Sequence, residues 1–217
     1  MSNVDKSVCL DILEWGLRNS WYYYQSGQLG KAYYSLDTAI LGDDFETKRP
    51  PQHEVIKALV EQSIIRIHEI ERQEPFDRLA FIDKAGHGPV GMIALSSFLI
   101  MKSKKDGMYV RPYRRTLRSM TRGKRPNVGE KILIVSDVAT TGQTILKAAS
   151  KLWEAGAVVT GALVVFDQDL GATENLRVKD IPLYSLITRN EAQKAPNRNI
   201  TFPEGEAVVL REFGGVM

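Results

Sequence analysis

The sequence predicts an α/β fold in which a twisted, mainly parallel five-stranded sheet carries helices on both faces. Apolar segments suited to buried strands alternate along the chain with amphipathic segments suited to helices, and this alternation favours a parallel sheet. Glycines and threonines follow two of the strands, at the strand-to-helix junctions where such sheets bind ligands. The predicted strands are residues 78–82, 108–111, 132–135, 158–167 and 181–187.

The composition is that of an ordinary globular chain. Its 217 residues, 43% of them hydrophobic and 25% charged, suffice for one sizeable core with a small subdomain. The longest apolar stretch, residues 92–101, is too short to span a bilayer, and the N-terminus has no basic segment followed by an apolar one. Cys9 is the single cysteine, which excludes an internal disulfide and fits a reducing compartment. We therefore expect a soluble, cytoplasmic protein with no membrane partner.

Two helices and an aromatic segment are predicted before the first core strand. Residues 4–19 and 54–72 place apolar side chains at helical spacing, while residues 41–52 have the composition of a linker. Residues 21–37 are rich in tyrosine and predict two short strands with a bend between them. Aromatic side chains at this density pack a core or a dimer contact more often than they stack on bases.

The first core strand leads into a glycine-rich loop, residues 83–91, and then into an apolar helix over residues 92–101. Three glycines at such a junction indicate a close approach of the backbone to a ligand. The simpler alternative is a glycine-rich turn that exposes one lysine, Lys84.

A basic segment follows the second core strand. Seven arginines and lysines lie within residues 111–125, together with Pro112 and Gly123. The proline and the glycine favour a mobile loop over a long helix. The alternative to a ligand-binding loop is a solvated basic surface.

The rest of the chain is organised around residues 131–144, KILIVSDVATTGQT. Residues 132–135 form a short apolar run suited to a strand covered on both faces, and Asp137 stands at its C-terminal end. Thr140 to Thr144 are expected to open a helix, whose first N–H groups lack intrahelical partners. These groups, the helix dipole and the threonine hydroxyls predict a phosphate site, with an ordinary strand-to-helix turn as the alternative.

This segment resembles the fingerprint of the type I phosphoribosyltransferases, which has four apolar residues, two acidic residues, an apolar pair, Thr-Thr-Gly and a helix. Ser136 occupies the first acidic position, so Asp137 is the remaining carboxylate. The resemblance implies that the loop binds the 5-phosphate of phosphoribosyl pyrophosphate and that Asp137 holds the ribose hydroxyls and Mg²⁺. It also implies that Lys84, Ala85 and Gly86 contact pyrophosphate. The substrate-binding residues implied in the central segment are Ser136, Asp137, Ala139, Thr140, Thr141, Gly142, Gln143 and Thr144.

The N-terminal aromatic stretch resembles the hood that covers the base in orotate phosphoribosyltransferases. The matching residues are Ser26, Gly27, Tyr33, Tyr34 and Asp37. Gln25 stands where that family has a lysine. The resemblance implies a hood subdomain over residues 1–46 and a phosphoribosyl-pyrophosphate-binding α/β core over residues 47–217.

A later stretch, residues 167–176, resembles the segment of the same family that contacts the base. The matching residues are Asp167, Gly171, Ala172, Glu174 and Leu176. Gln168 replaces the arginine that binds the orotate carboxylate in that family. Gln25 and Gln168 thus remove both cations expected near orotate, and a neutral base fits this pocket better, because an unpaired buried carboxylate is costly.

The basic segment lies where orotate phosphoribosyltransferases carry a catalytic loop that reaches across a dimer to the partner's pyrophosphate. Arg111 and Arg115 align with cations of that loop, whereas Leu117 replaces its histidine. Arginine binds phosphate bidentately, so charge in the transition state could be stabilised without a titrating group. The candidate catalytic residues are Asp137, Arg111 and Arg115.

Two functions are left open by the sequence. The first is a Mg²⁺-dependent, homodimeric phosphoribosyltransferase that transfers the phosphoribosyl group from phosphoribosyl pyrophosphate to a nucleobase, with altered base choice and no nucleic-acid partner. The second is a catalytically weak regulator that senses phosphoribosyl pyrophosphate and binds nucleic acid through the basic loop. The first is favoured, because the N-terminal segment is too short for a winged helix of the kind that such regulators carry.

Overall fold

The computed structural model describes residues 4–17, 21–23, 29–31, 40, 51–83, 90–113 and 121–196. The strands are β1 (Trp21–Tyr23), β2 (Leu29–Lys31), β3 (Arg78–Ile82), β4 (Asp106–Val110), β5 (Thr121–Arg122), β6 (Lys131–Ala139), β7 (Val158–Asp167) and β8 (Leu183–Thr188). The helices are α1 (Lys6–Leu17), α2 (Gln52–Gln73), α3 (Val90–Ser103), α4 (Gln143–Glu154), α5 (Ala172–Arg177) and α6 (Arg189–Gln193).

Six strands form the main sheet in the order β5-β4-β3-β6-β7-β8. β3 pairs in parallel with β4 and β6, and β7 pairs in parallel with β6 and β8, which confirms the predicted mainly parallel α/β sheet. β5 is an additional antiparallel edge strand that pairs with β4. This strand was not predicted, because Thr121 and Arg122 have no apolar pattern and owe their strand conformation to pairing with β4.

Helices cover both faces of the sheet, as predicted. Alternate residues of β3 point to opposite faces, so Leu79 and Phe81 belong to one core cluster, while Ala80 and Ile82 belong to the other. The first cluster contains side chains of α1, α2 and α3, and the second contains side chains of α4 and α5. All residues of β3 are buried, which explains why this strand shows no polar–apolar alternation.

β7 has a bulge near its start. The register of the β6–β7 pair shifts between Ile132 and Leu133, so that Thr160 is the extra residue of β7. The Thr160 hydroxyl donates to the carbonyl oxygen of Ile132 at 3.3 Å. Beyond the bulge the register is constant to the end of the strands, where Asp167 lies level with Ala139.

The N-terminal part contains a separate two-stranded antiparallel sheet, in which β1 pairs with β2. This pairing confirms the two short strands predicted there. α1 packs against α2 and β8 and contributes Cys9, Ile12 and Leu13 to the first core cluster. The linker predicted at residues 41–52 lies almost entirely outside the described residues, and the boundary between residues 46 and 47 stays a prediction. None of the described helices combines the length and apolarity that crossing a bilayer requires.

The central strand is longer than predicted, and the helix after it begins later. β6 continues to Ala139, so Asp137 lies within the strand, and α4 begins at Gln143. The predicted helix start at Thr140 is therefore wrong, since Thr140 and Thr141 lie in the turn. β6 continues beyond the apolar run of residues 132–135, because its pairing with β7 is kept through its last residue, Ala139.

Candidate functional site

The carboxyl ends of β3, β4, β6, β7 and β8 meet at one edge of the sheet, because these strands are parallel. A polar residue lies within two positions of each strand end. These residues are Asp83, Arg111, Asp137, Asp167 and Thr188. This edge therefore gathers the candidate catalytic and base-site residues that the structure describes.

Ser136 and Asp137 lie near the end of β6 and contact each other. The Ser136 hydroxyl donates to Asp137 Oδ1 at 3.0 Å, and the Val138 N–H donates to the same oxygen at 2.8 Å. Ser136 is only 1% exposed, whereas Asp137 is half-buried. The serine that replaces the first acidic residue thus orients the carboxylate that remains.

The turn after β6 depends on Gly142. Its φ of 74° lies in the left-handed region that favours glycine. A Cβ at this position would lie 3.1 Å from Leu176 Cγ and 3.3 Å from the carbonyl oxygen of Ala172, so the turn packs tightly on α5. Asn175 of α5 also donates from Nδ2 to the Thr141 carbonyl oxygen at 3.0 Å. The turn is therefore held in place by its contacts with α5, which were not predicted from the sequence.

The start of α4 is suited to an anion. The Leu146 N–H donates to the Gly142 carbonyl oxygen at 2.9 Å. The N–H groups of Gln143, Thr144 and Ile145 precede this bond, and helix geometry gives them no intrahelical acceptor. The first turn contains no acidic residue. Together with the helix dipole, these groups form the kind of site that binds phosphate.

Arg111 follows β4 and faces the end of β3. Its Nε lies 3.3 Å from Asp83 Oδ2, with the two side chains 16% and 3% exposed. The Arg111 Nε–H finds no hydrogen-bond acceptor among the described residues, so this contact is an ion pair rather than a hydrogen bond. The candidate catalytic arginine is thus held at the sheet edge by Asp83. Asp83 was not predicted to have a role, although its position directly after a buried strand is a signal that the sequence contains.

Pro112 and Tyr113 follow β4, and Tyr113 lies beside the start of α4. Pro112 is buried, whereas Tyr113 is 54% exposed. The Tyr113 hydroxyl lies 3.1 Å from Thr144 Oγ1, and Lys147 Nζ lies 4.8 Å from the centre of the tyrosine ring. Two side chains that the sequence did not single out, those of Tyr113 and Lys147, therefore lie beside the predicted phosphate loop.

Asp167 ends β7 and is 4% exposed. Its Oδ1 accepts from the Asp169 N–H at 3.0 Å, and its Oδ2 accepts from Thr173 Oγ1 at 3.4 Å. Burial raises the pKa of Asp167 to about 6, and the nearby carboxylates of Asp169 and Glu174 add to the rise against the effect of the hydrogen bonds. This carboxyl group is therefore costly to ionise.

Gln168 lies beside the end of β6. Its N–H donates to the carbonyl oxygen of Ala139 at 2.9 Å, and its side chain is half-buried. Neighbouring strands are separated by roughly 4.8 Å. The candidate base-site residue Gln168 and the candidate ribose-site residue Asp137 are thus one strand apart, within reach of a single ligand.

Other candidate site residues lie outside the described residues, and their roles stay predictions. They are Gln25, Lys84, Ala85, Gly86, Arg115 and Leu117. Across the described ranges, no group of three or more His, Cys, Asp or Glu side chains could hold a metal ion. Mg²⁺, however, commonly binds one or two carboxylates together with substrate phosphates. Asp137 fits this donor set as the protein ligand of Mg²⁺ bound with a phosphate-bearing substrate.

No family model matches the chain. Among curated proteins, the orotate phosphoribosyltransferase of Natronomonas pharaonis is 34% identical over 119 residues, which are 52% of this chain and 68% of that protein. The orotate phosphoribosyltransferase of Pyrococcus horikoshii is 34% identical over 117 residues, which are 52% of this chain and 61% of that protein. The matched segments thus leave 32% and 39% of these two relatives' lengths unmatched.

Solved structures share the fold. The orotate phosphoribosyltransferase from Aeropyrum pernix superposes with a TM-score of 0.59 at 23% identity, covering 86% of this chain and 97% of that chain. The orotate phosphoribosyltransferase of Mycobacterium tuberculosis in complex with inorganic phosphate superposes with a TM-score of 0.62 at 17% identity, covering 87% and 97%. At these identities the likeness shows the common type I phosphoribosyltransferase architecture.

Proposed function

The chain belongs to the orotate phosphoribosyltransferase family, and from this premise we propose that it transfers the phosphoribosyl group from phosphoribosyl pyrophosphate to a nucleobase, releasing pyrophosphate. The observation that carries the proposal is the junction between β6 and α4. There a half-buried carboxylate, Asp137, lies a few residues before a helix start that is free of acidic side chains. A sugar phosphate needs a group of each kind, one for its hydroxyls and one for its phosphate.

The 5-phosphate would bind at the turn from Thr140 to Thr144. The left-handed Gly142 leaves this turn without a side chain at its tightest point, and Asn175 holds the turn in place through the Thr141 carbonyl. Backbone N–H groups fixed in this way need no reorganisation when an anion binds.

The ribose hydroxyls would donate to Asp137, which would also be the protein ligand of Mg²⁺. Ser136 would act by orienting that carboxylate, since its own side chain is 1% exposed and donates to Asp137. Arg111, paired with Asp83, supports the proposal because it places a guanidinium group at the edge where the pyrophosphate would leave. Arg115 and the loop from Lys84 to Gly86 would supply the remaining pyrophosphate contacts.

A neutral base is the proposed acceptor. Gln168 offers an amide dipole where orotate would need a cation, and the same loop contains the carboxyl groups of Asp167 and Asp169. An orotate carboxylate would meet acidic neighbours there, which disfavours its burial. Uracil and the purine bases avoid this cost.

We also infer a homodimer, as the family's dimer-crossing loop implies, and a cytoplasmic location, which fits the single cysteine. Exposed apolar side chains on α3 support a subunit contact, since Ile93, Phe98 and Met101 are 46%, 39% and 61% exposed. Light scattering at several protein concentrations measures the oligomeric state directly. The regulator alternative rests on the basic loop, of which residues 114–120 lie outside the described residues, and no described contact favours it.

The test of the transferase is steady-state pyrophosphate release from phosphoribosyl pyrophosphate and Mg²⁺, with orotate, uracil, adenine, guanine and hypoxanthine offered one at a time. We expect release that depends on one of these bases and that falls sharply in Asp137→Asn. A reaction without base measures background hydrolysis. Release no faster than that background with every base would overturn the proposed activity.

A further inference from the structure

The contact between Tyr113 and Thr144 joins the segment after β4 to the helix that would bind the 5-phosphate. Their hydroxyl oxygens are 3.1 Å apart, and the Tyr113 ring lies under the ammonium group of Lys147. Neither Tyr113 nor Lys147 belongs to the motif by which the phosphate loop was identified. Their role is therefore an addition to the proposed site.

Tyr113 is held in this position although half of its surface is exposed. The ion pair with Asp83 holds Arg111, two residues earlier, and the intervening Pro112 is buried and restricts the backbone. The hydroxyl contact with Thr144 holds the other end of the segment. A side chain anchored on both sides in this way can set the orientation of its partner.

The positive charges at the start of α4 also favour the binding of an anion. Helical side chains lean towards the N-terminus of their helix, and Lys147 does so here, because its ammonium group reaches the ring of Tyr113 beside Thr144. A cation near the positive end of a helix dipole is unfavourable by itself. No acidic residue lies in the first turn to balance it. A bound phosphate would provide the missing negative charge.

We propose that Tyr113 is a positioning residue for the 5-phosphate of phosphoribosyl pyrophosphate. Its hydroxyl fixes the Thr144 side chain at the helix start, and its ring holds the Lys147 ammonium group on the same side of the site. This inference rests on the proposed function and extends it from the loop motif to a residue that leaves β4. Tyr113 would affect how tightly the phosphate binds in the ground state.

The test compares Tyr113→Phe with the parent protein by calorimetry, with ribose 5-phosphate and inorganic pyrophosphate as separate probes. We expect ribose 5-phosphate to bind about 3- to 10-fold more weakly to the variant, the loss typical of one hydrogen bond, and pyrophosphate to bind as before. In turnover assays the KM for phosphoribosyl pyrophosphate should rise by a similar factor while kcat is retained. Tyr184→Phe removes a hydroxyl from the start of β8, at the opposite edge of the sheet, and should change neither probe.

Lys147 provides an independent test. Lys147→Met should also weaken ribose 5-phosphate binding, and Lys147→Arg should retain it, because the charge and the contact with the ring are kept. Lys151→Met is the matched control, since its ammonium group pairs with Glu154 one turn further along α4.

The possible failures can be told apart. If the parent binds ribose 5-phosphate and Tyr113→Phe binds it equally well, with at most a change in thermal stability, then Tyr113 has a structural role only and this inference is wrong. If the parent binds neither ribose 5-phosphate nor phosphoribosyl pyrophosphate, then the proposed function fails and this inference fails with it.

Discussion

Asp83 at the end of β3 and Arg111 at the end of β4 form an ion pair, with Oδ2 3.3 Å from Nε and side chains 3% and 16% exposed. Removing one partner of a buried pair leaves the other uncompensated, so we expect Asp83→Ala to lower the free energy of unfolding by about 2–4 kcal/mol. Urea unfolding measures this loss.

The double variant Asp83→Ala with Arg111→Met should be less destabilised than the sum of the two single variants, because neither charge is then left alone. Glu74→Gln is the matched control. It breaks the exposed pair with Lys131, whose side chains are both 46% exposed, and should cost no more than roughly 0.5 kcal/mol. Strict additivity of the two single variants would show that Asp83 does not hold Arg111.

Gly142→Ala should destabilise the protein and weaken phosphate binding. The backbone has φ 74°, and the new methyl group would lie 3.1 Å from Leu176 Cγ. Gly129→Ala is a close control, because φ is 78° but no atom lies within 4 Å of the new methyl group. Both variants should lose about 1–2 kcal/mol from backbone strain, and Gly142→Ala should lose at least about 1 kcal/mol more.

Ribose 5-phosphate binding separates the two glycine variants further. Gly142→Ala should bind this probe more weakly, since the turn must move away from α5, whereas Gly129→Ala should bind it as the parent does. Equal stability and equal binding for the two variants would mean that the tight packing of Gly142 has no consequence.

Asp137→Asn should weaken the binding of phosphoribosyl pyrophosphate more than Ser136→Ala does. A lost charged hydrogen bond costs about 1.5–3 kcal/mol, which corresponds to roughly a 10- to 100-fold loss of affinity. Ser136→Ala removes the hydroxyl that donates to Asp137 at 3.0 Å, so its smaller effect should be about threefold. Calorimetry with Mg²⁺ present measures both, and equal affinities would place the ribose elsewhere.

Base preference should change when both glutamines are replaced by cations. We expect the natural protein to turn over orotate poorly, and Gln25→Lys with Gln168→Arg to raise orotate turnover by a few orders of magnitude, since two charged hydrogen bonds are gained. Uracil lacks the carboxylate and serves as the control base, whose turnover should not rise. Efficient turnover of orotate by the natural protein would refute the proposal of a neutral base.

Asp167 should make stability depend on pH between about pH 4 and pH 6. The pKa of its carboxyl group is raised from 3.8 to about 6 in the folded protein, chiefly by burial. Below pH 3.8 both folded and unfolded states hold the proton; as pH rises, the unfolded state ionises first and the folded state loses relative stability until about pH 6. The full loss is about 3 kcal/mol.

Asp167→Asn removes this dependence. Relative to the parent, the variant should therefore gain stability between pH 4 and pH 6 and keep that gain at pH 7, as measured by urea unfolding at each pH. Asp106→Asn, which changes an exposed carboxyl group at the start of β4, is the control. A difference between parent and Asp167→Asn that is constant from pH 4 to pH 7 would contradict the assignment.

Local patterns were sufficient where a segment's own side chains decide its structure. The bounds of β3 and β7 agree with the prediction, because these strands are almost entirely buried and their apolar runs reach to within one residue of the strand ends. α2 is likewise present with bounds close to those predicted from its apolar spacing. The presence of a helix after the central strand was predicted for a similar reason, although its start at Gln143 is three residues later than predicted.

Local patterns failed where a distant segment decides. β5 exists through its pairing with β4, and β6 outlasts its apolar run through its pairing with β7. The contact of Asp83 with Arg111 depends on the order of the strands, and the contact of Tyr113 with Thr144 joins residues that are 31 positions apart. No periodicity within one segment indicates a partner in another. These two contacts could therefore be identified only from the three-dimensional structure.

The bulge in β7 bears on how the chain can tolerate changes of length. Because of the extra residue Thr160, the odd-numbered Val159 and the even-numbered Ala162 and Val164 all belong to the same core cluster. Deleting Thr160 would give a regular strand, in which all the remaining residues of β7 keep their partners in β6 and their faces of the sheet. A deletion further along the strand would turn Asp167 to the opposite face. Thr160 is thus a position at which a deletion would leave the spacing between Asp137 and Gln168 unchanged.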